Sequence, residues 1–221
     1  LSTNSVAAIE TADIGGISTA AVAALKSAQI AALGTDQVAT LSTNQIVAFT
    51  TAGISGLTTD QIVALTTNQA GALSTAQVAA LSTNAIAALE TADFAALKTA
   101  AVAGLSTNQI KALTTDQIVA LTTGEASVLS SAQVAALSTD AVAALQTADL
   151  AAIKTSSFAA LNSSQVAALT TAQVNGLATA QLASLSTAAI ANGLTTDQVV
   201  ALTSNQLASM STAQIGALST N

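Results

Sequence analysis

The chain has 221 residues, a hydrophobic content of 51% and a net charge of −7, from 11 acidic residues and four lysines. It has no Cys, His, Pro, Trp or Tyr, which excludes disulfides, thiolate metal sites and histidine-based catalysis. The negative charge argues against nucleic acid as a partner, and the apolar fraction is too high for a disordered chain.

An eight-residue repeat organises the chain from its first residue onward. Position one of each octad is Leu, Ile, Phe or Met, as at Leu1, Ile9 and Leu25. Position six is a second large apolar residue in almost every octad, with Ala70 and Ala126 as exceptions. Position three is always Thr or Ser, and position eight is nearly always small. Such a regular period predicts a repeat architecture in which neighbouring units share one core.

The period of eight favours short helices over the other regular structures. In one continuous α-helix the apolar stripe would drift by about 80° per octad, and in a strand positions one and six would face opposite sides. We therefore predict an all-α solenoid of two-turn helices, one per octad, each capped by Ser or Thr. The patterns "STNQ", "TTDQ" and "STAQ" resemble a capping box whose cap is position two or position three. We favour position three, as the cap or as the residue that ties the corner.

The same pattern predicts which side chains form the core. Positions one and six are three residues apart along the helix and so share a face, and the small residue at position eight lets a neighbouring helix approach. We expect positions one and six to be buried. Positions two, four and five are expected at the surface, including Gln61, Gln77 and Gln133.

Larger blocks repeat above the octad. "STNSVAAIETAD" (2–13) is similar to "STNAIAALETAD" (82–93), ten octads later, and to "STDAVAALQTAD" (138–149), a further seven octads on. Both spacings are whole numbers of octads, which is typical of a gene that grew by duplicating sets of octads.

The frame of eight slips once, in "LSTAAIANGL" (185–194), where the two leucines are nine positions apart. Because Asn and Gly readily adopt positive φ, we expect a widened turn at Asn192–Gly193 that absorbs the extra residue. The whole chain, residues 1–221, is then one solenoid of 27 octads and a partial one.

No constellation of chemically active residues emerges from the sequence. Every Asp and Glu falls at position two, four or five, in the first turn of a predicted helix, where the helix dipole favours negative charge. Calcium-binding repeats would need a Gly-Gly-x-Gly-x-Asp signature, which is missing. We therefore predict no catalytic, cofactor-binding or metal-binding residues and no enzyme. A hydroxyl pair interrupts the apolar residues in most octads, so no membrane span is expected.

The "LTTDQIVALTT" octads at 57–67 and 113–123 resemble the Ala/Thr-rich "LTTxQVAAL" arrays of large bacterial surface and secreted, adhesin-like proteins. The resemblance covers the whole chain. It implies a spacer, stalk or fibre-forming role outside a bacterial cell, with self-association or neighbouring repeats of a longer chain as partners. Two alternatives stay open, an ice-binding solenoid with a Thr-rich face and a scaffold that binds peptides or proteins.

Overall fold

The computed structural model describes residues 2–218. These residues form short α-helices only, one per octad, and no strand occurs among them. Each helix has four to seven residues, so most are shorter than the two turns predicted. The chain divides into two compact units, residues 1–112 and 113–221, and each is an α-solenoid.

The first unit contains fourteen helices in its described part. They are α1 (Thr3–Ala7), α2 (Thr11–Ile14), α3 (Thr19–Ala23), α4 (Ser27–Ala31), α5 (Thr35–Thr40), α6 (Thr43–Ala48), α7 (Thr51–Ile54), α8 (Thr59–Val63), α9 (Thr67–Ala72), α10 (Thr75–Ala80), α11 (Thr83–Ala88), α12 (Thr91–Ala95), α13 (Thr99–Ala103) and α14 (Thr107–Lys111).

The second unit contains thirteen helices up to residue 218. They are α15 (Thr115–Val119), α16 (Thr123–Ala126), α17 (Ser131–Ala136), α18 (Thr139–Ala144), α19 (Thr147–Ala152), α20 (Thr155–Phe158), α21 (Ser163–Ala167), α22 (Thr171–Gly176), α23 (Thr179–Ser184), α24 (Thr187–Gly193), α25 (Thr196–Val200), α26 (Ser204–Ser209) and α27 (Thr212–Leu218).

Each helix begins after the residue at position two, which is the N-cap. Ser42, for example, has extended backbone angles, and its Oγ accepts a hydrogen bond of 3.3 Å from the Gln45 N–H. The position-three hydroxyl, which we favoured as the cap, belongs to the first helical residue. The prediction of position three was wrong because only a residue still outside the helix can turn its side chain back onto the free N–H groups of the first turn.

The corner between helices consists of the extended residues at positions one and two. Phe49 ends α6 with φ −58° and ψ 132°, and its N–H donates to the Ile46 carbonyl at 3.2 Å. Thr50 follows with φ −69° and ψ 160° and caps α7. No residue in the described range has a positive φ, so a corner needs neither glycine nor a strained backbone.

Within each unit, every helix packs on the helix three octads further along the chain. In the first unit α3 packs on α6 and α6 on α9, and in the second α16 packs on α19 and α19 on α22. The core lies inside this winding and consists of positions one and six. Leu81, Ile86, Leu89 and Phe94 are at most 4% exposed, which confirms the predicted core positions.

The frame slip is accommodated inside a helix, so the predicted widened turn at Asn192–Gly193 is wrong. Both residues belong to α24, which has seven residues, and Leu194 donates its N–H to the Ile190 carbonyl four residues back. Gly193 is buried, and a Cβ at this position would lie 2.8 Å from the Ser163 carbonyl oxygen. Close packing against the preceding turn, and not positive φ, explains the glycine.

Candidate functional site

Glutamine side chains at position five form the most regular polar feature of the structure. Apart from Gln29 they are at most 5% exposed, although the sequence placed Gln61, Gln77 and Gln133 at the surface. The buried glutamines are Gln37, Gln45, Gln61, Gln69, Gln77, Gln109, Gln117, Gln133, Gln165, Gln173, Gln181, Gln198, Gln206 and Gln214. The leucines of position one are buried as well, so the helix assignment stands and only the exposure of position five was wrong.

The buried amide is stable because both of its ends are satisfied. The Gln77 Oε1 accepts from the Ser74 N–H at 2.9 Å, which completes the capping box of its own helix. Its Nε2 donates to the Ile46 and Phe49 carbonyls, each at 2.9 Å. These carbonyls lie at a helix end of the preceding turn, where the helix itself no longer supplies the usual N–H partners. The Gln77 side chain therefore joins two successive turns.

This arrangement fixes the register between turns within each unit. The Nε2 of Gln45 in the first unit, and that of Gln173 in the second, donates to backbone carbonyls 28 and 31 residues earlier in the chain. Because α6 packs on α3, three octads make one turn, and the Gln45 amide reaches the corner that leads into α3. After the frame slip, the Gln198 Nε2 donates to carbonyls 29 and 32 residues earlier, one residue more than the usual distance. The extra residue is therefore contained in a single turn.

Two blocks of three octads lack the glutamines. Position five is Ala85, Asp93 and Ala101 in α11–α13, and Ala141, Asp149 and Ser157 in α18–α20. The first block packs on α8–α10 and the second on α15–α17. These two boundaries between turns are therefore held by apolar packing and a few peripheral bonds, such as that from the Lys98 Nζ to the Ala72 carbonyl at 3.0 Å.

Three carboxylates are buried at position five. Asp93, Glu125 and Asp149 are 1–3% exposed, whereas the sequence assigned all acids to the surface. Glu125 occupies a glutamine position, and its Oε2 accepts from the Thr122 N–H at 2.8 Å and the Thr122 Oγ1 at 2.7 Å. Its Oε1 is buried without a hydrogen-bond partner, as is the Asp93 Oδ2. A carboxylate can replace the capping oxygen of glutamine but not its NH₂ donor.

Burial changes the ionisation of two of these acids. Desolvation raises the pKa of Glu125 above its ordinary value of 4.5. The hydrogen bonds from Thr122 lower this pKa and the nearby Asp149 carboxylate raises it, but desolvation is the largest effect. Desolvation also raises the pKa of Asp149 above 3.8, and a hydrogen bond from the Thr123 side chain opposes the shift. Both effects favour the neutral acids in the folded chain.

The acidic side chains are the groups of this chain that could ligate a metal ion. Among residues 2–218 no three acidic side chains come close enough together to hold a metal ion. The Glu125 and Asp149 carboxyls adjoin one another on the packed helices α16 and α19, but the Thr122 and Thr123 hydroxyls beside them serve as hydrogen-bond donors. The site supported by this geometry is thus the interface between turns.

The residues that form this interface could have been identified in part from the sequence. Gln recurs at position five in about half of the octads, in most of them three residues after a Ser or Thr at position two, and this regularity was assigned to the capping box alone. The sequence contains no local signal for the second role, because the carbonyls that the Gln77 amide reaches are 28 and 31 residues away.

Comparison with known proteins agrees with this architecture. The ALTTAQ repeat family matches the chain over residues 6–43, 39–67, 86–123 and 142–179, which together cover more than half of it. No curated protein matches the chain. The expected resemblance to a Thr/Ala-rich repeat array is thereby confirmed. None of the helices in the described range reaches the length and hydrophobicity that a membrane crossing requires.

Proposed function

Because the chain belongs to the ALTTAQ repeat family, we propose that it is a structural, non-catalytic repeat protein that serves as a spacer, stalk or fibre-forming segment. The observation that carries this proposal is the hydrogen bonding of the buried glutamine side chains. The glutamines of position five cap their own helix and bind the preceding turn, so the chain's most regular polar groups are occupied in extending the array. The repeat family and the all-α repeat fold both suggest a protein that is not an enzyme.

We place this segment in a bacterial extracellular or cell-surface protein. The support is the resemblance of its octads to the arrays of adhesin-like proteins. Protease digestion of intact producing cells tests the location, since a surface segment is cut without lysis. Protection until the cells are lysed would contradict it.

A length measurement tests the spacer role. Deleting residues 81–136 removes seven whole octads, about a quarter of the chain, and joins α10 to α18, which belongs to the same kind of block as α11. A spacer should stay folded and lose about a quarter of its maximum dimension by small-angle scattering in dilute solution. A compact globule would shrink by only about 10%. The smaller change, or loss of folding, would contradict the proposal.

A second candidate, ice binding, is favoured by the position-three hydroxyls. They do not cap the helices, and nearly all of them are exposed, as at Thr43, Thr59 and Thr83. Repeated threonines thus present hydroxyl and methyl groups to solvent at a fixed place in every octad. Thermal hysteresis in a solution of the purified chain would support ice binding. A solution without a gap between its freezing and melting temperatures would contradict it.

A further inference from the structure

Glutamine amides hold each unit of the solenoid together along its length, but not evenly. Each corner divides a unit into the helices before it and the helices after it, and the amides that bond across the corner join the two parts. Three position-five glutamines do so at the corner between α6 and α7. Their Nε2 atoms donate to carbonyls before the corner at 2.8–2.9 Å, from Gln61 to Ile30, from Gln69 to Val38 and from Gln77 to Ile46.

The corner between α10 and α11 has only one such glutamine. Position five of the three octads after this corner is Ala85, Asp93 and Ala101, none of which carries a side-chain amide. Gln109, in the fourth octad, is the position-five glutamine that bonds across the corner, from its Nε2 to the Val78 carbonyl at 3.0 Å. Two fewer glutamines therefore join α1–α10 to the rest of the first unit than join α1–α6 to the rest.

Apolar packing does not replace the missing amides in the first unit. Phe94 on α12 is larger than the usual Val or Ile of position six, but it packs on α9, where position six is only Ala70. The Asp93 Oδ2, on the same helix as Phe94, is buried without a hydrogen-bond partner, which weakens the boundary. Lys98 adds one bond to the Ala72 carbonyl at 3.0 Å, and this bond is exposed to water.

The second unit has the same contrast. At its corner between α17 and α18, seven octads after the first, one position-five glutamine bonds across, from the Gln165 Nε2 to the Val134 carbonyl at 3.0 Å. An exposed bond from Gln146 also crosses it, and the buried carboxyls of Glu125 and Asp149 lie near each other on opposite sides. At the corner between α21 and α22 the glutamines that bond across are three, Gln173, Gln181 and Gln198.

We propose that the two poorly bridged corners, Leu81–Ser82 in the first unit and Leu137–Ser138 in the second, are joints at which the solenoid parts more readily than at corners crossed by three glutamines. In a stacked array each boundary opens with a free energy set by its own contacts, so fewer buried bonds across it give a larger open population. The inference goes beyond the proposed spacer role, since it gives each unit a fixed place where it opens under load.

The reactivity of a buried thiol tests the joint in the first unit. The chain has no cysteine, so an introduced cysteine is its single thiol. Ile86→Cys lies in α11, directly after the joint, and Ile54→Cys lies in α7, directly after the corner with three glutamines. Both isoleucines are 0% exposed at position six. At low concentrations of 5,5′-dithiobis(2-nitrobenzoate) the rate follows the open population. We expect the Ile86→Cys thiol to react at least about tenfold faster, because two fewer amides must be released.

The second unit supplies an independent pair of positions. Val142→Cys lies in α18, directly after the joint, and Val174→Cys lies in α22, directly after the corner with three glutamines. Both valines are 0% exposed at position six. We expect the Val142→Cys thiol to react faster by a similar factor. Equal rates or a reversed order in either pair would overturn the proposal.

Removing one bridging amide tests the cause of the difference. Gln69→Ala leaves two glutamines across the corner between α6 and α7, so it should raise the reaction rate of the Ile54→Cys thiol about threefold or more. The rate of the Ile86→Cys thiol should not change, because the Gln69 amide bonds no residue after Leu41. An unchanged rate for Ile54→Cys, or an equal increase for both thiols in a folded chain, would contradict the joints. If circular dichroism shows that Gln69→Ala has not folded, the rates of the two unaltered pairs decide.

The joints and the spacer role fail separately. Thiol rates report the opening of single boundaries, whereas deletion of residues 81–136 reports the length of the chain. Equal thiol rates in a chain that shortens in proportion to the deletion would leave the spacer function intact and reject only the joints.

Discussion

Gln77 illustrates how much a single buried amide contributes in this fold. Replacing it with Ala leaves the Ser74 N–H and the Ile46 and Phe49 carbonyls without this partner. Because buried unpaired polar groups are costly, we expect Gln77→Ala to lower the free energy of unfolding by about 2–5 kcal/mol, measured by urea denaturation. Asn44→Ala is the control, since the Asn44 side chain is exposed at position four, and should change stability by about 0.5 kcal/mol or less. Equal losses in the two variants would mean that the buried amide has no special role.

Glu125 should make the stability of the chain depend on pH. Its pKa is raised in the folded state by desolvation and by Asp149, so the folded chain holds this proton more tightly than the unfolded chain. Stability is then highest below the unfolded pKa near 4.5 and falls as pH rises from there through the raised folded pKa. Glu125→Gln restores the NH₂ donor found at other position-five sites. We expect Glu125→Gln to leave the free energy of unfolding nearly unchanged below pH 4 and to raise it by about 1–3 kcal/mol at pH 7, measured by urea denaturation.

The matched control for this variant lies seven octads earlier, at Gln69, the corresponding position of the duplicated block. Gln69 is 2% exposed and its Nε2 donates to the Val38 carbonyl at 2.9 Å. Gln69→Glu should introduce the pH dependence that Glu125→Gln removes. A stability difference for Glu125→Gln that stays constant between pH 4 and 7 would show that Glu125 ionises as it does in the unfolded chain.

Helix α24 shows how the array tolerates an element of unusual length. A Cβ on Gly193 would lie 2.8 Å from the Ser163 carbonyl oxygen and 2.9 Å from the Val166 Cβ, so Gly193→Ala should destabilise the fold by about 1–3 kcal/mol. At Gly216, in α27, a Cβ would meet nothing within 4 Å, and alanine should be neutral or stabilise by up to about 1 kcal/mol. Thermal melting of both variants tests this contrast. If Gly193→Ala melts no lower than Gly216→Ala, the turns are not in close contact at α24.

Deletion of Gly193 should also be tolerated, because it restores the period of eight residues. The Gln198 bonds span 29 and 32 residues, one more than the usual 28 and 31, and the deletion restores the usual span. We expect a folded chain with one cooperative melting transition. A loss of helical circular dichroism would indicate that the longer helix is required by its neighbours.

The helices and their core could be predicted from the sequence, whereas the contacts between turns could not. The spacing of Ile86 and Leu89 defines a helix face, and the capping residues mark each helix start, because these signals act within a few residues. The burial of Gln77 depends on how many octads make a turn, which no local pattern encodes. At Asn192–Gly193 the local preference for a turn was outweighed by close packing against Ser163, which is distant in the sequence.

At the scale of the whole molecule, each turn is stabilised by the turns on either side of it. An interior turn such as α7–α9 is covered on both sides, whereas α1–α3 and α25–α27 are covered on one. In such an array local opening begins where a unit has the fewest neighbours. We therefore expect backbone amides in α1–α3 to exchange with deuterium at least about tenfold faster than those in α7–α9, and those in α25–α27 faster than those in α21–α23. Equal rates throughout each unit would mean that it opens only as a whole.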